Sequence, residues 1–416
     1  LQYVLLALVT LRMGAHVFFV PPFEGPDEPF HLDRTRAVAD NRSILSLSPD
    51  VVAAVRATPC SSDLSRAFGC PLFQPGGGMA GSLWRMRYSH PSGAPVTDMP
   101  NYERQQPPLY YSLAGMLLRA APGSALPFRD LLVLRGLSFG LVIAALVILA
   151  AVPAHRTARC MGLALLLLPG AAEGLIRASN DAIVFLWASV TCVALARRWH
   201  SSVFLLLCAV GPFFKLTALS ITAVVALYLW RHRGALVGLL AAIAAFTVLV
   251  ARFLLAWSGG VTYSLAGTLA LHETVPAFLY GAAKTLYGLG KTSLWLGGWV
   301  GFRPGPVALG LAVLSVLVPI ATLRSRDWSE WLPHLGGLVV AAAGVLFVGL
   351  GNRAVFGVWG GIGGWYVWNW APWLWLASIR LGDGWDWAGS RAVIAVTLLV
   401  LVVNVLWWKA ALLAYN

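Results

Sequence analysis

Residues 21 to 34 read PPFEGPDEPFHLDR and put Asp27 and Glu28 side by side directly behind an apolar segment. A carboxylate held at a membrane surface can act as general base on a hydroxyl nucleophile, so this pair is the first candidate for chemistry. Pro21, Pro22, Pro26 and Pro29 stiffen the chain around it, because proline fixes its own φ. A helix starting near Pro29 brings His31 within one turn of the acids and Arg34 within two. The blander reading is an interfacial loop whose acids simply stay hydrated. Nothing in the spacing separates Asp27 from Glu28 as the base.

A base needs cations where negative charge departs. Arg135, Arg177, Lys215 and Arg353 lie in or beside apolar segments, where each could meet a phosphate at the membrane surface. Lys215 is the sharpest of them. An unpaired ammonium at the centre of an apolar helix costs roughly 3 kcal/mol, so Lys215 either pairs with an anion or snorkels to the interface. Arg353 fits an interfacial anchor as well as a phosphate ligand. His16, His90 and His272 are isolated in sequence, and metal binding by them is not expected. Glu24, Asp33 and Glu103 read as loop structure. The stretch GLGKTS (288–293) mimics a P-loop but has Thr285 where that motif needs its first glycine.

The elements that must position these residues are helices in a bilayer. Of the 416 residues, 58% are hydrophobic and 11% charged, and mean hydropathy is +0.74. Continuous runs near the ~20 residues needed to cross a bilayer recur along the chain, which excludes a soluble domain and an alternating β-barrel. Apolar segments fall at 1–20, 131–153, 160–176, 182–196, 203–214, 216–230, 235–256, 305–323, 332–350, 365–379 and 392–413. The run 203–230 is broken at Gly211, Pro212 and Lys215. Alternate linkers carry arginine, as in HRTAR (155–159), ARRWH (196–200), RHRG (231–234), RSRDW (324–328) and RLGDGWDWAGSR (380–391). The positive-inside rule then gives an all-α polytopic bundle of about eleven spans, N-terminus inside. The chain begins at Leu1 rather than Met, which implies preceding residues.

This topology places 21–130, the one large polar region, on the outer side. Two stretches in it are expected to lie at the interface as helices: 27–40, and 105–121, which is too short to span. Residues 257–304 and 351–368 are rich in Trp and Gly and suit an aromatic belt; Trp295, Trp299, Trp359, Trp365 and Trp368 fit it, or one stacks on a sugar. The net charge of +13 is spread over segment ends and the long loop, which suits lipid phosphates and not nucleic acid. Cys60 and Cys70 are the cysteine pair of the polar loop, and a disulfide is expected if the loop faces an oxidising compartment. Cys160, Cys192 and Cys208 lie in apolar segments as small packing residues.

The acid pair in PDEPFH resembles the first-loop motif of the GT-C superfamily of integral membrane glycosyltransferases, which includes the protein O-mannosyltransferases and the lipid A aminoarabinose transferases. Three further stretches fit in the same order. QQPPLYY (105–111) is similar to the HPPLYY that opens a second loop helix, with Gln106 in place of the His. LRGLS (134–138) matches the arginine before the second span. LLPGAAEGLIRASNDAI (167–183) resembles the element of the second outer loop that ends in Asn180 and Asp181. The match covers residues 1–200 and is closest to a bacterial branch of unassigned substrate. Members of that branch carry Gly-Arg-Tyr near the penultimate span, whereas this chain has Gly364, Trp365 and Tyr366.

The resemblance implies a module at 1–230 carrying catalysis and a variable membrane module at 231–416. It implies an enzyme of the inner membrane of a bacterium, acting on its outer side without cofactor or metal. Asp27, Glu28 and Asp181 are the acids that could otherwise hold a divalent cation. The donor would be a polyprenyl-phosphate-linked sugar, and the acceptor an envelope glycan, lipid or protein. Asp27 or Glu28 would serve as base. Arg135, Arg177, Lys215 and Arg353 would hold the phosphate, and His31, Gln106, Tyr110, Asn180, Asp181 and Tyr366 would line the substrate. The alternative is a transporter or flippase of lipid-linked glycans, which would favour charges near mid-span and an internal repeat. No such repeat is visible.

Overall fold

The computed structural model describes residues 1–20, 23, 27–42, 47–57, 101, 103, 106–121, 127–150, 156–258, 274–294, 305–322, 332–356, 359, 365–372 and 387–415. Among them the regular secondary structure is all helix, with no strand. The helices run α1 Gln2–Phe19, α2 Glu28–Ala39, α3 Pro49–Ala57, α4 Pro108–Ala120, α5 Pro127–Ala150, α6 Arg156–Leu166, α7 Pro169–Leu175 and α8 Asp181–Ala196. They continue as α9 Ser201–Phe214, α10 Ala218–Arg233, α11 Ala235–Ser258, α12 Val275–Leu294, α13 Pro306–Thr322, α14 Leu332–Phe356, α15 Trp365–Trp368 and α16 Trp387–Tyr415.

Three of these are long and apolar enough to cross a bilayer: α5, Leu332–Leu350 within α14, and Arg391–Ala410 within α16. Shorter apolar helices surround them, among them α8, α9 and most of α1. Large apolar side chains such as Tyr3, Phe18, Val147 and Val339 point outward and stay exposed, as a lipid-facing surface requires. The main core joins α1, α5, α6, α7, α8 and α16. A second cluster, built on Phe23, Phe30, Tyr110, Tyr111, Leu134 and Ala178, seats α2 and α4 against the bundle.

Proline chemistry sets the boundaries around the future site. Pro29 opens α2 and Pro108 opens α4, where the missing N–H costs nothing. Pro169 opens α7 and forces Leu168 before it into extended backbone, at ψ 137°. The expected continuous segment 160–176 is therefore two pieces, α6 and α7, because helix cannot pass through the Leu168–Pro169 step. The irregular turn 176–180 that follows is buried inside the protein. The break in 203–230 falls at Lys215, whose backbone is extended (φ −165°, ψ 148°), while Pro212 remains inside α9.

The expected helix at 27–40 is present as α2, but it does not lie on a surface. Every residue from Glu28 to Ala37 is buried. A short helix this polar becomes buried only because each charge finds a partner. Asp33, read as loop structure, lies in this helix and accepts from the Ser48 hydroxyl at 2.6 Å and the Asn101 amide at 3.1 Å. Arg36 pairs with Asp50 and with Asp130. The helix at 105–121 is α4; Tyr110, Tyr111, Ala114 and Gly115 face inward, while Leu113, Met116 and Leu117 stay exposed. At Gly115 a Cβ would stand 3.2 Å from the Ala39 backbone nitrogen, so α2 and α4 cross closely there.

Candidate functional site

The site forms where the buried turn 176–180, the break at Lys215, the start of α2 and α15 meet. Asp181, the first residue of α8, is its hub and is fully buried. Its Oδ1 accepts from Lys215 Nζ at 2.5 Å and from Asn369 Nδ2 at 2.7 Å. Its Oδ2 accepts from Arg177 and, at 2.9 Å, from Ser179 Oγ. Lys215 thus resolves as an ion-paired cation and not a snorkelling one. An ammonium has three N–H donors, and Asp181 engages one of them. The Tyr366 ring lies 4.9 Å from Nζ.

Asp27 and Glu28 sit next to each other and do different things. Glu28 is fully buried and grips Arg135 bidentately, Nε to Oε1 at 2.8 Å and Nη2 to Oε2 at 2.7 Å. Its Oε1 also accepts from the Ala178 backbone N–H at 3.1 Å. Arg135 in turn donates to the Val20 carbonyl at 2.7 Å. Glu28 and Arg135 therefore tie the end of α1, the start of α2, α5 and the 176–180 turn together. The guanidinium expected to hold phosphate is turned onto Glu28.

Asp27 keeps 14% of its side chain exposed and lies 3.8 Å from Arg177. Its backbone adopts φ 66°, a left-handed conformation that a non-glycine residue takes at some cost and that concentrates at functional sites. Of the two acids, Asp27 is the one a substrate can reach.

A second network reaches the site from the polar region. Tyr111 donates its hydroxyl proton to Glu103 Oε2 at 3.0 Å, and His31 Nδ1 lies 2.7 Å from the same hydroxyl oxygen. Tyrosine has one proton to give, so His31 donates from Nδ1 and keeps Nε2 as an acceptor while Glu103 is ionised. Burial, reinforced by the charges of Arg177 and Lys215, holds His31 well below the ordinary imidazole value, so the ring is neutral. Burial also pushes the Glu103 carboxyl up to about 7, with the charge of Asp27 adding to the effect. Arg34 clamps the same segment by donating to the Glu103 and Gln106 carbonyls at 2.5 and 2.7 Å.

Of the residues the sequence proposed, the structure brings Asp27, Glu28, His31, Arg135, Arg177, Asn180, Asp181, Lys215 and Tyr366 into one neighbourhood. Tyr366 joins through its ring, 4.9 Å from Lys215 Nζ. Gln106 joins at the edge, 3.5 Å from the Asn180 amide nitrogen. Tyr110 packs edge-on against Tyr111 in the buried cluster beneath. Arg353 stands in the last turn of α14, and the cluster around Asp181 is built without it. Cys60 and Cys70 lie outside the described residues. Cys160, Cys192 and Cys208 are buried, as packing residues are. The GLGKTS stretch falls within helix α12, so it is no phosphate loop.

Sequence reasoning passed over Glu103, Tyr111, Ser179 and Asn369. The available signals were faint: Glu103 stands eight residues before Tyr111, and Asn369 is the lone amide in the aromatic run WYVWNW. Comparison of the chain with known protein families, with characterised proteins and with solved structures finds no match.

Proposed function

We propose that this chain is an integral membrane glycosyltransferase of GT-C type, moving a sugar from a polyprenyl-phosphate donor to an acceptor hydroxyl. The observation that carries the reading is an accessible acid, Asp27, strained into place beside a buried pair of cations, Arg177 and Lys215, joined through Asp181. Asp27 takes the proton of the acceptor hydroxyl. The oxygen attacks the anomeric carbon as the bond to the phosphate breaks, and a single displacement inverts that carbon. Negative charge develops on the departing phosphate, where the remaining Lys215 donors and Arg177 stabilise it. Glu28 and Arg135 act as positioning residues that fix the turn carrying Arg177. His31 Nε2 accepts a hydrogen bond from a hydroxyl of the acceptor.

In this reading about eleven spans cross a bacterial inner membrane with the N-terminus inside, and the site faces outward. Residues 1–230 carry the catalytic module, and 231–416 complete the bundle. The acceptor is an envelope glycan, lipid or protein, and no metal takes part.

The test is label transfer from a panel of radiolabelled polyprenyl-phosphate sugars into cell-envelope acceptors by purified wild type and Asp27→Asn. Transfer from one donor that disappears in the variant supports the reading. Consumption of no donor, or equal transfer by both proteins, sinks it. The transporter alternative draws on the two helix breaks at the site, a feature of membrane carriers. It predicts movement of intact donor lipid across vesicles without hydrolysis or transfer.

A further inference from the structure

Two buried amides beside the Asp181–Lys215 pair have their orientation fixed and their oxygens left without a donor. Asn369 Nδ2 faces the Asp181 carboxylate at 2.7 Å and Thr217 Oγ1 at 3.3 Å. Turning the amide over would set oxygen against carboxylate oxygen, so Asn369 Oδ1 must point the other way. Asn180 Nδ2 faces the Phe214 carbonyl at 3.0 Å and Gln106 Oε1 at 3.5 Å, which fixes that amide by the same argument. Both residues are fully buried, and neither Oδ1 has a hydrogen-bond partner among the described residues. A buried acceptor left unsatisfied costs about 1–3 kcal/mol, and proteins rarely keep two within one cluster without use for them.

We infer that Asn180 and Asn369 form a hydroxyl-reading subsite, whose amide oxygens accept hydrogen bonds from a polyhydroxylated group carried next to the phosphate. An amide oxygen can be satisfied only by a donor, which the phosphodiester of a sugar-bearing lipid does not provide at neutral pH and its sugar provides several times over. Lys215 lies between the two amides in the network: it follows Phe214, the partner of Asn180, and shares Asp181 Oδ1 with Asn369. The ligand that fits both halves therefore carries negative charge and hydroxyl donors within one small group. The Tyr366 ring lies beside the same pair, 4.9 Å from Lys215 Nζ. The inference rests on the glycosyltransferase reading and assigns sugar recognition, as distinct from phosphate binding, to these two residues.

The test uses the full chain in lipid nanodiscs and measures equilibrium binding of bare polyprenyl phosphate and of the polyprenyl-phosphate-sugar panel. Wild type should bind at least one sugar-bearing lipid ten or more times tighter than the bare phosphate. Asn180→Ala should cut that preference about tenfold while holding the affinity for bare phosphate within threefold, which also reports that the fold survives; Asn369→Ala, which also strips a hydrogen bond from Asp181, should cut the preference as well. Against failure of the variants to fold, mono-deoxy versions of the preferred sugar are bound to wild type. Loss of one hydroxyl should weaken binding at least tenfold, because a site built to pair a hydroxyl rejects the analogue lacking it. A preference unchanged in both variants, or indifference to every deoxy position, overturns the inference and leaves the glycosyltransferase reading standing. Absence of binding to any polyprenyl phosphate overturns both.

Discussion

Asp27→Asn and Glu28→Gln, adjacent and chemically similar changes, should have opposite consequences. Glu28 is fully buried and takes two hydrogen bonds from Arg135 and one from the Ala178 N–H. Gln can keep one accepting oxygen, but it leaves the Arg135 guanidinium buried without its counterion. Breaking a buried pair from one side costs roughly 3–5 kcal/mol, and the retained oxygen puts the expected loss near about 3 kcal/mol. Asp27 is partly exposed, and its Arg177 contact is 3.8 Å long, so loss of that ion pair is expected to cost about 1 kcal/mol or less. Asn also accepts left-handed backbone nearly as readily as Asp, so the φ of 66° adds no penalty. Unfolding of the detergent-purified proteins followed by intrinsic tryptophan fluorescence, run beside label transfer, separates the two. Asp27→Asn should unfold like wild type and transfer nothing. Glu28→Gln should unfold well before it. Equal destabilisation of the two variants, or a Glu28→Gln protein as stable as wild type, would refute the division of labour between the acids.

Asp181→Asn removes the carboxylate shared by Arg177 and Lys215, and a loss of roughly 3–5 kcal/mol is expected in the same unfolding assay; a loss under about 1 kcal/mol contradicts the hub role. Glu103 binds its proton more tightly when folded than the ordinary carboxylate value of 4.5 allows, holding it up to about 7. The unfolded chain then releases that proton first, so stability should fall as pH rises from about 4.5 to about 7. Glu103→Gln should flatten that part of the stability profile, and an unchanged slope rules the assignment out. At Gly170 a Cβ would run into the Ser293 carbonyl, while at Gly136 it would meet nothing within 4 Å. Gly170→Ala should therefore separate α7 from α12 and lower stability by about 1–3 kcal/mol. Gly136→Ala should be neutral or raise it by up to about 1 kcal/mol.

What the sequence determined by itself was local and periodic. Apolar runs place the membrane helices, because a bilayer admits few other backbones. Pro29 and Pro108 mark where α2 and α4 begin, since a proline in the first helical turn loses no hydrogen bond. Lys215 could be read as a break and as a cation in search of an anion. Pro169 announced the break before α7 just as clearly, but hydropathy averaged over the run 160–176 concealed it.

Tertiary structure alone decided which charges answer which. Glu28 meets Arg135 across 107 positions, and Asn369 reaches Asp181 across 188. Neither distance leaves a trace in local pattern. The same is true of the difference between Asp27 and Glu28. Neighbours in the chain, they are separated in role by a left-handed backbone at Asp27 that turns one carboxylate into the protein and leaves the other within reach of solvent. Glu103, plain in sequence, enters the site because Arg34 holds its carbonyl and Tyr111 its carboxylate. In a medium without water every buried charge must find a partner, and the fold, not the order of residues, supplies it.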